Sequence, residues 1–260
     1  MMHISERFAR LSAPGTGRTV IQLTTGSDFC YPMYYFIPTF SSDDRYIVYH
    51  RAGGGQVQLH RLDLATGESV QMTHCTWPHT QWHPWCTDAG SGVLDHRSAV
   101  NTARDEVIYF DGNVVHAMHI VTLADRVLFT LPDDRLASGQ NCCSPDGRWF
   151  VYIHHDRALY ATIFGPPGAE RKAGYQYQRH LSKNTRLTAY NLDTGEQRTL
   201  VIVDAPIHHV QPAGNDHLAF SSLPSAPTIL YTDYHGGWYT HLRTRTDDGG
   251  NTCHYCATQR

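Results

Sequence analysis

The segment Pro145-Asp146-Gly147-Arg148-Trp149-Phe150-Val151-Tyr152 joins a polar turn to an apolar strand, and the chain repeats this arrangement. Related segments lie at residues 42–49, 103–110 and 214–220. Recurrence at intervals of this kind is typical of an architecture built from repeated units. Each copy is therefore predicted to be the turn between the first and second strands of a repeated β-sheet.

Segments of alternating polarity complete the repeat. Residues 57–64 and 186–192 alternate apolar and polar side chains with the period of two that is typical of a β-strand. Near-identical turns follow them, Thr66-Gly67-Glu68 and Thr194-Gly195-Glu196, and lead to short outer strands. Helical periodicity is nowhere sustained over three turns, which disfavours an α/β fold. The pattern predicts an all-β protein, a β-propeller of four-stranded antiparallel blades.

The repeats predict a single β-propeller domain over residues 1–260, with about four blades near residues 34–74, 93–132, 139–203 and 207–243. A ring of seven such blades would need on the order of 400 residues, so we expect a longer, seven-bladed native protein that is incomplete here at the C-terminus. Residues 17–24 resemble an outer strand that has no three strands before it. We expect this strand to close the ring on the last blade.

Composition limits the class of partner. The chain has 260 residues, of which 41% are hydrophobic, and a formal net charge of -3. Because it has no excess of basic charge, it is not expected to bind nucleic acid. No apolar run approaches the ~20 residues of a membrane-spanning helix, and the N-terminus lacks the apolar stretch of a secretory signal. We expect no membrane association, and a cytoplasmic protein as given or a secreted or periplasmic one if the N-terminus is trimmed.

Cysteine spacing suggests a metal site near the C-terminus. Seven cysteines are an odd and scattered set, which favours reduced thiols over a disulfide framework. Cys253 and Cys256 form a C-x-x-C pair that follows His241 by twelve residues. This spacing suits a tetrahedral zinc ion with a structural role, although the fourth ligand is not identified. His241, Cys253 and Cys256 are therefore the predicted zinc ligands.

Candidate functional residues gather where the loops of a propeller converge. Loops before the first strand and between the second and third strands meet at one end of the central channel, and the sheets hold them rigidly. Imidazole, phenol and guanidinium groups at this end suit an anionic, hydroxyl-rich ligand. The candidates are His96, His116, His208 and His209 near strand ends, and Arg171, Tyr175, Tyr177 and Arg179 on an insertion at residues 156–184. The alternative, histidines bonded to the backbone and a solvated loop, stays open.

Two stretches resemble a known family. Residues 34–45 and 62–73 are similar to the opening blade of oligogalacturonate lyases and of related propeller lyases, including ulvan lyases. The stretch His208-His209-Val210-Gln211-Pro212, continuing to residues 217–220, resembles the oligogalacturonate lyase blade that supplies the catalytic histidine. The resemblance implies a carbohydrate lyase that cleaves an anionic oligo- or polysaccharide containing uronic acid, by β-elimination.

The resemblance also implies roles for the candidates. By matching position, His209 or its neighbour His208 is the base that removes the C5 proton of the uronate. His96 and His116 resemble the paired histidines of ulvan lyases. Tyr177 and Arg179 are expected to assist catalysis, and Arg171, Tyr175 and His208 to bind substrate.

The chain also departs from the family pattern. Ser221-Ser222-Leu223-Pro224 lacks a histidine that the family would have there. Some metal-binding histidines of the family correspond to positions beyond residue 260. A second divalent cation is expected only if residues beyond 260 supply its ligands.

Two other classes of function compete with the lyase hypothesis. A noncatalytic propeller that binds protein or glycan would share the same repeats. The propeller of a serine peptidase would require a hydrolase domain with a G-x-S-x-G motif, which this sequence does not contain. The noncatalytic binding module is therefore the alternative that remains.

Overall fold

The computed structural model describes residues 2–78, 90–93, 97–158, 184–205, 207–222 and 228–242. Only the main chain is described for His208, Ser221, Ser222, Thr228, Ile229, His241 and Leu242. These residues lie mostly in β-strands, with a short 3-10 turn at Thr102–Arg104. The prediction of an all-β protein with antiparallel sheets is confirmed. No helix in this described part of the chain is long and apolar enough to span a membrane.

The N-terminal third forms a hairpin and one large sheet. Its strands are β1 (His3–Ser5), β2 (Ala9–Ser12), β3 (Thr19–Gln22), β4 (Phe29–Pro32), β5 (Tyr46–Gly53), β6 (Gln56–Asp63), β7 (Glu68–Gln71) and β8 (Ser91–Gly92). Strands β4 to β7 pair antiparallel in chain order, and β1 extends this sheet along the far edge of β7. We refer to each four-stranded unit as a blade, so that β4 to β7 form the first blade.

The remaining strands form three more four-stranded units. The second blade contains β9 (Ala99–Asn101), β10 (Glu106–Asp111), β11 (Val114–His119) and β12 (Asp125–Thr130). The third contains β13 (Arg135–Cys143), β14 (Trp149–Asp156), β15 (Thr185–Asn191) and β16 (Gln197–Val203). The fourth contains β17 (Ile207–Pro212), β18 (His217–Ser222), β19 (Thr228–Asp233) and β20 (Thr240–Leu242). The first strands of the third and fourth blades, β13 and β17, run parallel and join these two blades.

The turn that recurs in the sequence has the same hydrogen bonds in two blades. In the third blade the Ser144 hydroxyl donates to Asp146 Oδ1 at 2.6 Å and accepts from the Trp149 amide at 2.9 Å. In the first blade Ser41 makes the equivalent bonds to Asp43 and the Tyr46 amide, at 2.7 and 2.9 Å. A short polar side chain that satisfies nearby backbone groups favours such turns. The repeat read from the sequence is therefore a repeat of local structure.

Two details of the N-terminal region add to what the sequence indicated. The first blade begins at Phe29 in β4, before residue 34, and residues 34–36 lie outside its strands. Strand β3 pairs with β2 in a hairpin, and closure of a ring on a last blade stays a prediction. Gly15 and Gly17 have positive φ values of 79° and 66° and fold the chain back between the two strands.

Two apolar clusters fill the spaces between the blades. The first joins the facing sides of the first, second and third blades, and the second joins the third and fourth. Strand β14 contributes side chains to both clusters, because alternate side chains point to opposite faces of a sheet. Phe150 and Tyr152 belong to the first cluster, whereas Val151 and Ile153 belong to the second.

Candidate functional site

A β-bulge places His209 at the start of the fourth blade. Ile207 pairs with Ser222 and Val210 with Phe220, so His208 and His209 together oppose one residue of β18. Bulges concentrate beside active sites because they redirect a side chain locally. The dipeptide that the sequence singled out therefore coincides with an irregularity of the strand.

A second irregularity lies beside the first, in β13. Ser138 pairs with Ile153 and Cys142 with Val151, so the residues between Ser138 and Cys142 exceed those opposite them. Asn141 fills the gap in the ladder, because its Oδ1 accepts from the Ile153 amide at 3.0 Å. Gln140, in the same bulge, is the residue that pairs with His209 across the parallel strands. The two bulges therefore meet.

The first blade contributes a third irregular segment. After β4 the chain leaves the sheet at residues 33–39 and rejoins it at Phe40, which bridges to Ile47. Pro32 precedes this segment and Pro38 lies near its end. Proline has no amide hydrogen to donate to a sheet. Within the segment the Ile37 amide donates to the Tyr34 carbonyl at 2.7 Å, which forms a tight turn.

This turn carries two aromatic side chains to His209. The Tyr34 hydroxyl lies 3.2 Å from His209 Nε2, and the two rings stack at 5.5 Å with an angle of 22°. The Phe36 ring meets the imidazole edge-on at 5.5 Å and 86°. His209 itself is only 9% exposed. We call Tyr34, Phe36, Gln140 and His209 the His209 cluster.

Several buried polar atoms lie in and beside the His209 cluster. Gln140 Oε1, Ser98 Oγ and Ser138 Oγ are buried and have no hydrogen-bond partner among the described residues. Arg97 is close to these groups, because its Nε donates to the Ala137 carbonyl at 3.0 Å. A buried polar atom without a partner costs stability unless water or a ligand satisfies it. These groups could therefore bind the hydroxyls of a sugar.

A buried guanidinium adds positive charge in the third blade. Arg135 Nε donates to His154 Nδ1 at 2.8 Å, and its terminal nitrogen donates to the carbonyls of His154 and Asn184. Burial lowers the pKa of Arg135, and burial together with that arginine lowers the pKa of His154 to about 3. The imidazole is therefore neutral near pH 7 and accepts the bond, and the carboxylates of Asp134 and Asp156 offset part of the guanidinium charge.

The structure places His116 elsewhere, on β11 in the second blade. Its Nδ1 lies 2.9 Å from Asp125 Oδ2, and its ring stacks on Tyr109 at 5.0 Å and 15°. The Tyr109 hydroxyl donates to the other oxygen of Asp125 at 3.2 Å. His116 lies on the third strand of its blade and is held by a carboxylate of the fourth strand, whereas His209 lies on the first strand of a blade in a different sheet.

The other predicted site residues cannot be placed. His96, Arg171, Tyr175, Tyr177, Arg179, Cys253 and Cys256 lie outside the described residues. The main chain puts His208 in β17 and His241 in β20. Among the side chains described, no group of three or more His, Cys, Asp or Glu residues lies close enough to hold a metal ion.

Only weak signals in the sequence indicated the residues that join His209. Tyr34 and Phe36 lie in a stretch that resembles the lyase family, but nothing local shows that they contact a strand about 170 residues later. The Gly139-Gln140-Asn141 run inside a strand pattern was the available signal for the β13 bulge, since a glycine within a strand often marks one.

Comparison with known proteins supports the family resemblance. No family model matches the chain. The chain is 24% identical over 211 residues to an oligogalacturonate lyase from Dickeya dadantii (strain 3937), and the match covers 79% of this chain and 48% of that protein. An oligogalacturonate lyase solved in complex with manganese superposes with a TM-score of 0.73 at 19% identity, over 94% of this chain and 61% of that one. The chain resembles oligogalacturonate lyases in sequence and in fold.

Further solved structures have the same architecture. An oligogalacturonate lyase from Vibrio parahaemolyticus has a TM-score of 0.70 at 18% identity, over 92% of this chain and 60% of that one. TolB from Acinetobacter baumannii, at 13% identity, has a TM-score of 0.51 over 90% of this chain and 48% of that one. The predicted propeller fold is therefore confirmed. This oligogalacturonate lyase-like chain spans about half the length of the curated relative it matches.

Proposed function

We propose that the protein is a carbohydrate lyase that cleaves oligogalacturonate or a similar uronate chain by β-elimination, with His209 as the base. One observation carries the proposal: the histidine chosen from the resemblance to oligogalacturonate lyases lies in a β-bulge, against a tyrosine hydroxyl and a buried glutamine. A base whose ring is oriented by a second polar group is a common catalytic arrangement.

Each step of the β-elimination requires a particular chemical group. The base takes the proton from C5 of the uronate, the electrons of that bond form the C4–C5 double bond, and the C4–O4 bond breaks. O4 takes a proton and becomes a hydroxyl of the departing sugar. A positive charge near the carboxylate makes the C5 proton more acidic, which is a role for Arg97 in the described part and for Arg171 or Arg179 on the insertion. General acid–base catalysis of this kind contributes roughly 10²–10⁴ in rate.

The proposal includes a metal ion only at residues whose side chains lie outside the described part of the chain. The manganese belongs to the solved relative, and the described side chains do not form a comparable cluster, so no step of the reaction is derived through it. We further propose from the sequence that His241, Cys253 and Cys256 hold a structural zinc ion. Elemental analysis of the purified protein measures its zinc content.

The test is an ultraviolet assay of the unsaturated product on oligogalacturonates, with ulvan as a second substrate. We expect the wild-type protein to release product, and His209→Ala to lower kcat by about 10²–10⁴. His74→Gln is the matched control, because His74 is an exposed histidine beside β7 and should retain full activity. Absence of product from every uronate substrate would contradict the proposal and favour a noncatalytic binding module. Full activity in His209→Ala would show instead that His209 is not the base.

A further inference from the structure

A second arginine, Arg157, lies close to Arg135 at one end of the third blade. It follows β14 directly, and Arg135 is the first residue of β13. Asn113 joins them from the turn between β10 and β11 of the second blade. Strands β13 and β17 run parallel, so this end of the third blade is also the end at which β17 and its His209 begin. The three residues therefore lie on the same end of the blades as the His209 cluster.

The Arg157 side chain is held in place by neutral oxygen atoms. Its Nη2 donates to Asn113 Oδ1 at 2.8 Å and to the Arg135 carbonyl at 3.2 Å. Its backbone amide donates to the Asp134 carbonyl at 2.7 Å. Asn113 is itself buried, and its Nδ2 donates to the Pro132 carbonyl at 3.1 Å. A side chain that is already ordered loses little conformational freedom when it binds a ligand.

An indole ring also contacts this guanidinium. The Arg157 guanidinium carbon lies 6.0 Å from the centroid of the Trp77 ring. The turn that carries Asn113 packs tightly on the same indole, because a Cβ atom at Gly112 would lie only 2.2 Å from it. Arginine over an aromatic ring is a favourable pairing that leaves the edge of the guanidinium available for hydrogen bonds.

The charge of Arg157 has no anionic hydrogen-bond acceptor in the described part of the chain. Every hydrogen bond that its guanidinium makes there ends on an amide or carbonyl oxygen. Its Nε is buried without a partner, and Nη1 donates to none of the described residues. Arginine stays protonated in proteins, and its planar donors match a carboxylate. We call Trp77, Asn113, Arg135 and Arg157 the Arg157 site.

The Arg157 site is too far from His209 to hold the same sugar. Asp156, next to Arg157, pairs with Arg135, whereas Gln140 pairs with His209. At about 3.3 Å per residue, the five residues from Arg135 to Gln140 correspond to about 17 Å along β13. A monosaccharide is much shorter than this. A group held by Arg157 would therefore belong to a different sugar from the one that contacts His209.

We propose that the Arg157 site is a second carboxylate subsite, which binds a uronate residue several sugars away from the bond that is cleaved. This subsite deepens the proposed function and rests on it. Nη1 of Arg157 donates to the carboxylate, and the hydrogen bonds from Nη2 keep the guanidinium in position. Binding at this distance favours long oligouronates over short ones and changes no step of the elimination.

The experiment measures kcat and KM of Arg157→Gln on galacturonate oligomers of two to six residues. For the hexamer we expect KM to rise about 10- to 100-fold with kcat changed less than about twofold, because a charged hydrogen bond made equally in the ground and transition states is lost. For the shortest oligomer that the wild type cleaves, both constants should be unchanged, which also shows that the variant is folded.

The matched control is Arg148→Gln. It removes an exposed arginine from the turn between β13 and β14, at the opposite end of the same blade. This variant should retain the wild-type dependence on oligomer length, so that a general effect of net charge is distinguished from a local one. An unchanged length dependence in Arg157→Gln would overturn the proposal. An equal fall in kcat/KM on all lengths would assign Arg157 a purely structural role and would also overturn it.

Calorimetry separates this proposal from the proposed function. Hexagalacturonate is titrated into His209→Ala with and without Arg157→Gln, and a neutral galactose hexamer serves as the second probe. We expect Arg157→Gln to weaken binding of hexagalacturonate about 10- to 100-fold and binding of the neutral hexamer less than about twofold. If this result is obtained with a wild type that cleaves no uronate, the subsite stands and the proposed function fails. Equal weakening of both probes, or of neither, would overturn the subsite even where cleavage is observed.

Discussion

Three histidines of the described chain stay neutral in the folded protein, and of these His60 and His154 are buried and His155 is half-buried. Burial, with the charge of Arg135, lowers the pKa of His154 and of His155 to about 3, and burial with the charge of Arg51 lowers that of His60 to about 4. In the unfolded chain each would titrate near 6.5. Between these values the unfolded chain binds protons that the folded protein excludes. The three residues therefore stabilise the fold fully above pH 6.5 and progressively less as the pH falls toward 4.

We predict that the free energy of unfolding decreases from pH 6.5 to pH 4, with each buried histidine contributing a slope of about 1.4 kcal/mol per pH unit. Replacing His154 with Gln should remove one such slope, since glutamine can still accept the bond from Arg135 but does not titrate. Urea unfolding at several pH values measures this. His74→Gln, which changes an exposed histidine, should retain the wild-type slope. If the unfolding free energy of His154→Gln depends on pH exactly as that of the wild type does, the pKa of His154 is not lowered by folding.

Prediction of the site from the sequence depended on how local each signal was. The resemblance drew attention to His209 because its dipeptide and the residues after it are contiguous in the chain. Its partner Tyr34 lies 175 positions away, in the turn after β4, and meets His209 at the bulge of β17 in another blade. Bulges depend on the pairing of strands, and a single strand sequence does not determine that pairing.

At the level of elements, a buried ion pair attaches the N-terminal segment to the first blade. Glu6 follows β1, its side chain is fully buried, and its Oε1 lies 2.6 Å from Arg51 in β5. Its other oxygen accepts two bonds from Thr25, at 2.7 and 2.8 Å. Burial alone would raise the pKa of Glu6, but the bonds from Thr25 and Arg51 outweigh it and lower the pKa. The carboxylate is therefore charged in the folded protein at neutral pH.

We predict that Glu6→Gln lowers the free energy of unfolding by about 3 kcal/mol at pH 7, because Arg51 then stays buried with only the partly exposed Asp28 as its counter-charge. The difference should shrink as the pH falls below about 4.5, where the wild-type carboxyl group begins to lose its advantage. Urea unfolding at pH 7 and pH 4 tests both statements.

The matched control for Glu6 is His3→Gln, three residues earlier in the same segment. It removes the contact between His3 and Glu68, whose side chains are both exposed, and such surface pairs contribute at most about 1 kcal/mol. We expect a change within about 0.5 kcal/mol of the wild type. Equal losses in Glu6→Gln and His3→Gln would mean that the buried pair has no special role.

The elements show where sequence prediction succeeds. The serine-aspartate turns of the first and third blades were predicted because their hydrogen bonds join residues at most five positions apart. Strand β3 was predicted as a strand, but its pairing with β2 was not. An outer strand has the same alternation whichever edge it pairs with, so the partner is chosen by the turn before it and by the available sheet edges.

In the whole molecule, the third blade contributes to both apolar clusters and so connects the blades on its two sides. The first apolar cluster includes Ile108 of β10, and the second includes Phe220 of β18, with β14 between them. A chain of repeats in which each contacts only its neighbours can unfold in parts. Here the two clusters share strands of the third blade, among them β14, whose opposite faces are both buried. Loss of that strand would expose both clusters together.

We predict that Ile153→Ala, a change in the second cluster alone, lowers stability by about 2–5 kcal/mol and weakens the first cluster equally. Ile153 is fully buried, so truncation leaves a cavity on one face of β14. Hydrogen exchange should show the same loss of protection in β10 as in β18, because opening of β14 exposes both. Phe150→Ala, on the opposite face of β14, should give the same pattern with a loss of about 3–5 kcal/mol. Loss of protection confined to β18 in Ile153→Ala and to β10 in Phe150→Ala would show instead that the blades unfold independently.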